Sequence, residues 1–179
     1  MFRARHLALV VALLPAALRA TTYLPCTSYA RVSNNGAIIV RVEPGSINSD
    51  GSVARTAHCK FFRYSDEKKM YEFWREHDLV NDTLPRDVVT PDDGSFLATF
   101  DDFYLDVVAS VNTVVVYDSS GRMLKRWALK DILSTAEISK LMETPFGWHG
   151  SVGVMQGAAQ QEVYICPPES PCELSLIHI

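Results

Sequence analysis

Five aspartates, Asp92, Asp93, Asp101, Asp102 and Asp106, crowd into one short stretch of the chain. Calcium takes about 6–8 oxygen ligands from such carboxylates and from carbonyls, so Asp101, Asp102 and Asp106 are candidate ligands of a calcium-stabilised module. Asp92 and Asp93 have a simpler use, because a tight turn ahead of Gly94 calls for those residues, and the spacing departs from the D-x-[DN]-x-[DN]-G calcium loop. His58, His77 and His149 are spread along the chain without the H-x-H or H-E-x-x-H spacing of a catalytic metal site. Gly150-Ser151-Val152-Gly153 lacks the G-x-S-x-G order of a nucleophile elbow. The glycines from Gly147 to Gly157 are not followed by Lys-Ser/Thr, as a phosphate loop requires. No catalytic residue is singled out, no cofactor is expected, and the balance of motifs leans away from an enzyme.

Four cysteines, Cys26, Cys59, Cys166 and Cys172, offer redox chemistry. An even count in an exported chain favours two disulfides over free thiols. Among the three connectivities, Cys26 with Cys59 and Cys166 with Cys172 is preferred, because Cys-Pro-Pro-Glu-Ser-Pro-Cys is a proline-stiffened segment able to turn back on itself. Structural zinc would need paired C-x₂₋₄-C knuckles, which the spacing lacks. Trp74, Trp127 and Trp148, with Tyr71, Phe103 and Tyr104, supply aromatic surface for a carbohydrate or peptide, although aromatics at strand positions more often fill a core. Trp148 stands apart, set between glycines in an expected loop, and is the candidate ligand-contact residue. Asn81-Asp82-Thr83 is an N-x-[ST] triplet, which makes Asn81 a candidate glycosylation site on an exposed loop.

The compartment is read from the N-terminus. Arg3, Arg5 and His6 precede an apolar run from Leu7 to Leu18, and Leu18-Arg19-Ala20 offers a small residue for cleavage, so residues 1–20 read as a secretory signal peptide. The run is shorter than the roughly 20 residues that span a bilayer as a helix; a secreted or extracytoplasmic chain with no stable membrane span is expected. Its removal takes three arginines and no acids, leaving 14 Lys+Arg against 21 Asp+Glu, a formal charge of −7. That balance excludes a basic stripe for nucleic acid. Residues 21–174 are expected to form a single β-rich domain, and Ser175-Leu176-Ile177-His178-Ile179 reads either as a non-native tail or as a packed terminal strand.

Short stretches rich in Val, Ile, Phe, Tyr and Trp, bounded by turn residues, predict a mainly β domain of antiparallel sheets and hairpins, propeller-like or sandwich-like, with one short α-helix. Tyr29 to Val32 and Ala37 to Val42 flank an Asn-Gly turn. Glu43-Pro44-Gly45 ends the second strand, and Ser46 to Ser52 is expected as polar loop. From Cys59 to Leu79 two readings compete. Met70, Phe73, Trp74 and His77 fit one helix face behind a Ser65 cap, whereas Lys60 to Tyr64 and Met70 to Glu76 fit a hairpin; aromatic density on both sides of Ser65 to Lys69 favours the hairpin. Strands follow at Ser95 to Phe100, Asn112 to Tyr117, Arg122 to Leu129 and Glu162 to Cys166. A helix is predicted over Ser134 to Glu143, with Ser134 and Glu137 at capping-box spacing.

Ser33-Asn34-Asn35-Gly36-Ala37-Ile38-Ile39-Val40 and Thr90-Pro91-Asp92-Asp93-Gly94-Ser95-Phe96-Leu97 echo one another, a polar turn with glycine leading into an apolar strand. With Val114-Val115-Val116-Tyr117-Asp118-Ser119-Ser120-Gly121-Arg122-Met123-Leu124 they resemble the turn-and-strand phrases of β-propeller blades, over roughly Val88 to Leu129. The resemblance implies four-stranded antiparallel units; the residues beyond the signal peptide hold about three of them, short of the four to eight of a closed ring. A secreted, non-catalytic binding or scaffold module for an extracellular protein or carbohydrate is the expected function. The alternatives are a fragment of a propeller-type extracellular hydrolase or lyase and the calcium-stabilised module.

Overall fold

The computed structural model describes residues 27–101, 110–141, 151–156, 161–166 and 175–178. The protein is mainly β, with antiparallel sheets and one short helix, as the turn-and-strand grammar requires. The first sheet contains β1 (Tyr29–Val32), β2 (Ile38–Glu43), β5 (His58–Ser65) and β6 (Met70–Asp78) in the order β1-β2-β5-β6; a small hairpin of β3 (Ser46–Ile47) and β4 (Val53–Arg55) interrupts it. The second sheet is the meander of β7 (Asp87–Val89), β8 (Phe96–Phe100), β9 (Val114–Asp118) and β10 (Met123–Trp127). The third pairs β11 (Ser151–Gln156), β12 (Gln161–Cys166) and β13 (Ser175–His178), so the C-terminal apolar residues form a strand.

The second sheet is the centre of the molecule. Val88, Leu97, Val115 and Tyr117 meet Ile38, Val40, Val42, Cys59 and Phe61 of the first sheet. The opposite side chains, Phe96, Ala98, Phe100, Val114 and Val116, meet Val163 and Ile165 of the third. A strand covered on both faces reads as a continuous apolar run, and β8 (FLATF) and β9 (VVVYD) do so. Strand β2 is covered on one face, and its buried positions alternate with open ones. The first strands also lie together, β1 beside β7 and β7 beside β11. Arg31 Nε on β1 meets Asp87 Oδ1 on β7 at 2.6 Å, and the Tyr29 hydroxyl donates to Pro85 O at 2.8 Å.

The Cys59 to Leu79 stretch folds as the hairpin, and its helix-like spacing has a local cause. Phe61 lies opposite Arg75 but Phe62 lies opposite Phe73, so a bulge leaves Trp74 without a cross-strand partner and breaks the two-residue period. Trp74 and Arg75 therefore both reach the inner side, where Trp74 packs against the core and the Arg75 guanidinium carbon lies 4.4 Å from the Phe61 ring centroid. The two echoed segments occupy corresponding places, the first turn of the first sheet and the first turn of the second, and they touch: Asn35 N donates to Asp92 Oδ1 at 2.9 Å.

Beyond β10, a 3₁₀ turn (Leu129–Asp131) leads to α1 (Thr135–Leu141). Ser134 caps it as expected: Glu137 N donates to Ser134 Oγ at 3.4 Å, and Ser134 N donates to Glu137 Oε2 at 2.7 Å. Ile138 anchors the helix on the core between the second and third sheets. Among the described residues, no helix is long and apolar enough to cross a membrane.

Candidate functional site

The expected site residues are not gathered in one place. Trp148, Asp102 and Asp106 lie outside the described residues, as do Cys26, Cys172 and His149. Asp101 is half-buried, and its backbone N–H donates to Thr113 O at 2.8 Å. Asp92 and Asp93 do turn work: Asp92 accepts from Asn35 N, Asp93 Oδ1 accepts from Ser95 N at 2.8 Å, and Gly94 N closes onto Pro91 O. No group of three or more His, Cys, Asp or Glu that could hold a metal ion occurs among the described residues.

Cys59 is a free, fully buried thiol that donates to His77 O at 3.4 Å. Burial pushes it up to about 12, which keeps it protonated and unreactive at neutral pH. Cys166 ends β12. Asn81 is 1% exposed, not a loop tip. Its Nδ2 donates to Asn112 O at 3.4 Å, its Oδ1 accepts from Thr99 Oγ1 at 3.3 Å, and its backbone O accepts from Ala57 N at 2.8 Å. Asn81 is thus a polar plug between the first two sheets, and that packing leaves Nδ2 no room for a glycan in the folded state. Asn112 Nδ2 donates to Val80 O, and Val80 N donates to the Tyr117 hydroxyl, completing the network.

Two arginines and a tryptophan fasten the other end of the same interface. The Arg63 guanidinium carbon lies 3.6 Å from the Trp74 ring centroid and that of Arg75 lies 4.0 Å from it. Arg63 donates to Asp93 O and Arg75 to Gly94 O, so both cations hold the turn of the second sheet. Gly94 must be glycine here: its φ is +67°, and a Cβ would come within 2.6 Å of the Trp74 ring. His77 is stacked between Phe61 and Tyr117, at centroid distances of 5.2 and 5.8 Å. Burial, then the nearby Arg75 charge, pushes its imidazole down to about 4, so it is neutral at pH 7. His77 Nε2 and Arg75 Nε are buried without a hydrogen-bond partner among the described residues. These groups are arranged for packing, with stacked rings and spent donors.

The outer face of the first sheet is different. Cross-strand pairing places Val32 opposite Ile39, Ile39 opposite Phe62 and Phe62 opposite Phe73, an apolar row spanning all four strands. Val32 and Phe73 are each 57% exposed. The Phe62 and Phe73 rings meet edge-on, and Tyr64 pairs with Tyr71 beside them, both exposed. The chain matches no protein-family model and no curated protein by sequence. What it can do must be read from this surface.

The other half of the face is charged but paired within itself. Lys60 Nζ meets Glu43 Oε1 at 3.1 Å, Arg41 Nε meets the same oxygen at 3.5 Å, and His58 sits between Asp78 at 2.9 Å and Glu76 at 3.3 Å. Sequence reasoning named Tyr71 and Trp74 but missed Val32, Ile39, Phe62 and Phe73 as one surface. Their signal was present as apolar residues at both parities of β5 and β6, which a strand with one covered face does not need.

Proposed function

We propose that this chain is a secreted, non-catalytic binding or scaffold module whose contact surface is the outer face of the first sheet. The observation that carries the reading is the apolar row Val32–Ile39–Phe62–Phe73, open to solvent at both ends on a sheet whose other face is already filled. Contiguous exposed apolar surface of this kind marks contact sites, while singly scattered apolar residues do not. A combined Val32→Lys and Phe73→Lys substitution tests whether the row is surface or core. Urea unfolding of the isolated chain should change by no more than about 0.5 kcal/mol. A loss above about 2 kcal/mol would make the row part of the fold's own core.

Secretion follows in this reading from the basic head and apolar run of residues 1–20. Counting alkylatable thiols in the exported, denatured protein checks it: bridged cysteines support an oxidising compartment, and four modified thiols contradict it. A second reading, an extracellular hydrolase or lyase built from several stacked sheets, draws on the adjacency of β1, β7 and β11, which brings first strands toward one line. Turnover of ester or glycoside substrates by the purified chain would favour it.

A further inference from the structure

We propose that the outer face of the first sheet is covered by the third sheet of a second copy of this chain, so that two copies stack head to tail. The inference rests on reading that face as a binding surface, and it names the occupant. Within one copy the same contact type occurs twice: first sheet on second, and second on third, each burying apolar side chains from both partners. The second sheet shows what such strands look like when both faces are covered, with five consecutive buried residues in β8. The apolar row on the first sheet gives that sheet the same two-sided character, with one side unfilled. The stack is therefore interrupted at the first sheet, and the outer face continues the established sheet-on-sheet series.

A head-to-tail contact extends into a fibre unless the rotation per sheet closes it. Here the first strands lie side by side, with Arg31 on β1 bonded to Asp87 on β7 and β7 beside β11, so the sheets share one inner edge. Two copies of three stacked sheets make six, within the about 4–8 at which radially arranged sheets close. The charged half of the face suits coverage by any copy, because Lys60, Arg41 and His58 already have carboxylate partners and bring no unpaired cation into the contact.

Sedimentation of the full exported chain reads the outcome as mass. The wild type should run as a dimer, and Phe73→Lys as a monomer with unchanged melting temperature. Met123→Lys, at an exposed position of β10 on the second sheet, should remain a dimer. If Phe73→Lys is poorly folded, Val32→Lys takes its place with the same expectation. A photo-crosslinking residue at position 73 should join the partner copy within residues 151–178. Crosslinks returning to the first sheet would overturn the head-to-tail arrangement, as would a dimer that survives both lysine substitutions. A monomeric wild type overturns the second-copy inference. In that case, a foreign chain crosslinked at position 73 in the extracellular fluid leaves the binding-surface reading standing, and no crosslink there removes both.

Discussion

The first and second sheets have the same size and the same antiparallel neighbours in order, yet they are built for different surroundings. In the second, β8 and β9 are buried on both faces and read as unbroken apolar runs. In the first, the inner face carries Ile38, Val40, Val42 and Phe61 at full burial, while the outer face carries a row whose ends are more than half exposed. The difference teaches that apolar content alone does not measure what a sheet packs against within its own chain. The second sheet's apolar residues are spent on folding; the first sheet's outer row is available for something else.

Substitutions that sharpen this contrast fall in a definite order. Phe100→Ala removes a fully buried ring between the second and third sheets and should cost about 3–5 kcal/mol in urea unfolding. A cost below about 1 kcal/mol would mean that the second sheet is not sandwiched. Asn81→Ala strands Thr99 and Asn112 at the first interface and should cost about 1–3 kcal/mol. A neutral effect, measured the same way, would deny the polar plug.

Next comes a pH effect at the same interface. His77 titrates at about 4 in the fold against 6.5 when unfolded, so the unfolded chain binds more protons between those values. Stability is complete above pH 6.5 and falls as pH drops toward 4, by on the order of 2 kcal/mol. His77→Leu should flatten melting temperature against pH over that window; an unchanged slope would show that His77 is not its source. Smallest of all, Phe73→Ser on the outer face should shift unfolding by about 0.5 kcal/mol or less. A shift as large as that of Phe100→Ala would erase the distinction between the two sheets.

Much of this architecture was legible because turns announce themselves. Gly36, Gly94 and Gly121 all take positive φ at the turns their neighbours foretold. Asp118 closes the last of these by accepting from Ser120 N and Arg122 N, and these bonds, the Ser120 hydroxyl first among them, hold its carboxyl down to about 2. The helix was legible from Ser134 and Glu137. What escaped was short or displaced by tertiary contacts. Strand β7 is three residues long, and β3 and β4 lie in a stretch read as polar loop. The bulge at Trp74 hid the strand period behind a helical one. Asn81 looked like a loop acceptor because nothing local reveals that Thr99 and Asn112, distant in sequence, close over it. The outer row escaped for the same reason: four residues from four strands become neighbours only once the register is set.

The central claim is that the outer face of the first sheet is open in the single chain and covered on association. Hydroxyl-radical footprinting at Phe73, Tyr64 and Tyr71, on dilute and on concentrated protein, addresses it directly. All three exposed rings should be reactive when dilute and protected when concentrated, with Met123 on the second sheet unchanged throughout. Equal reactivity of Phe73 at both concentrations would contradict the claim.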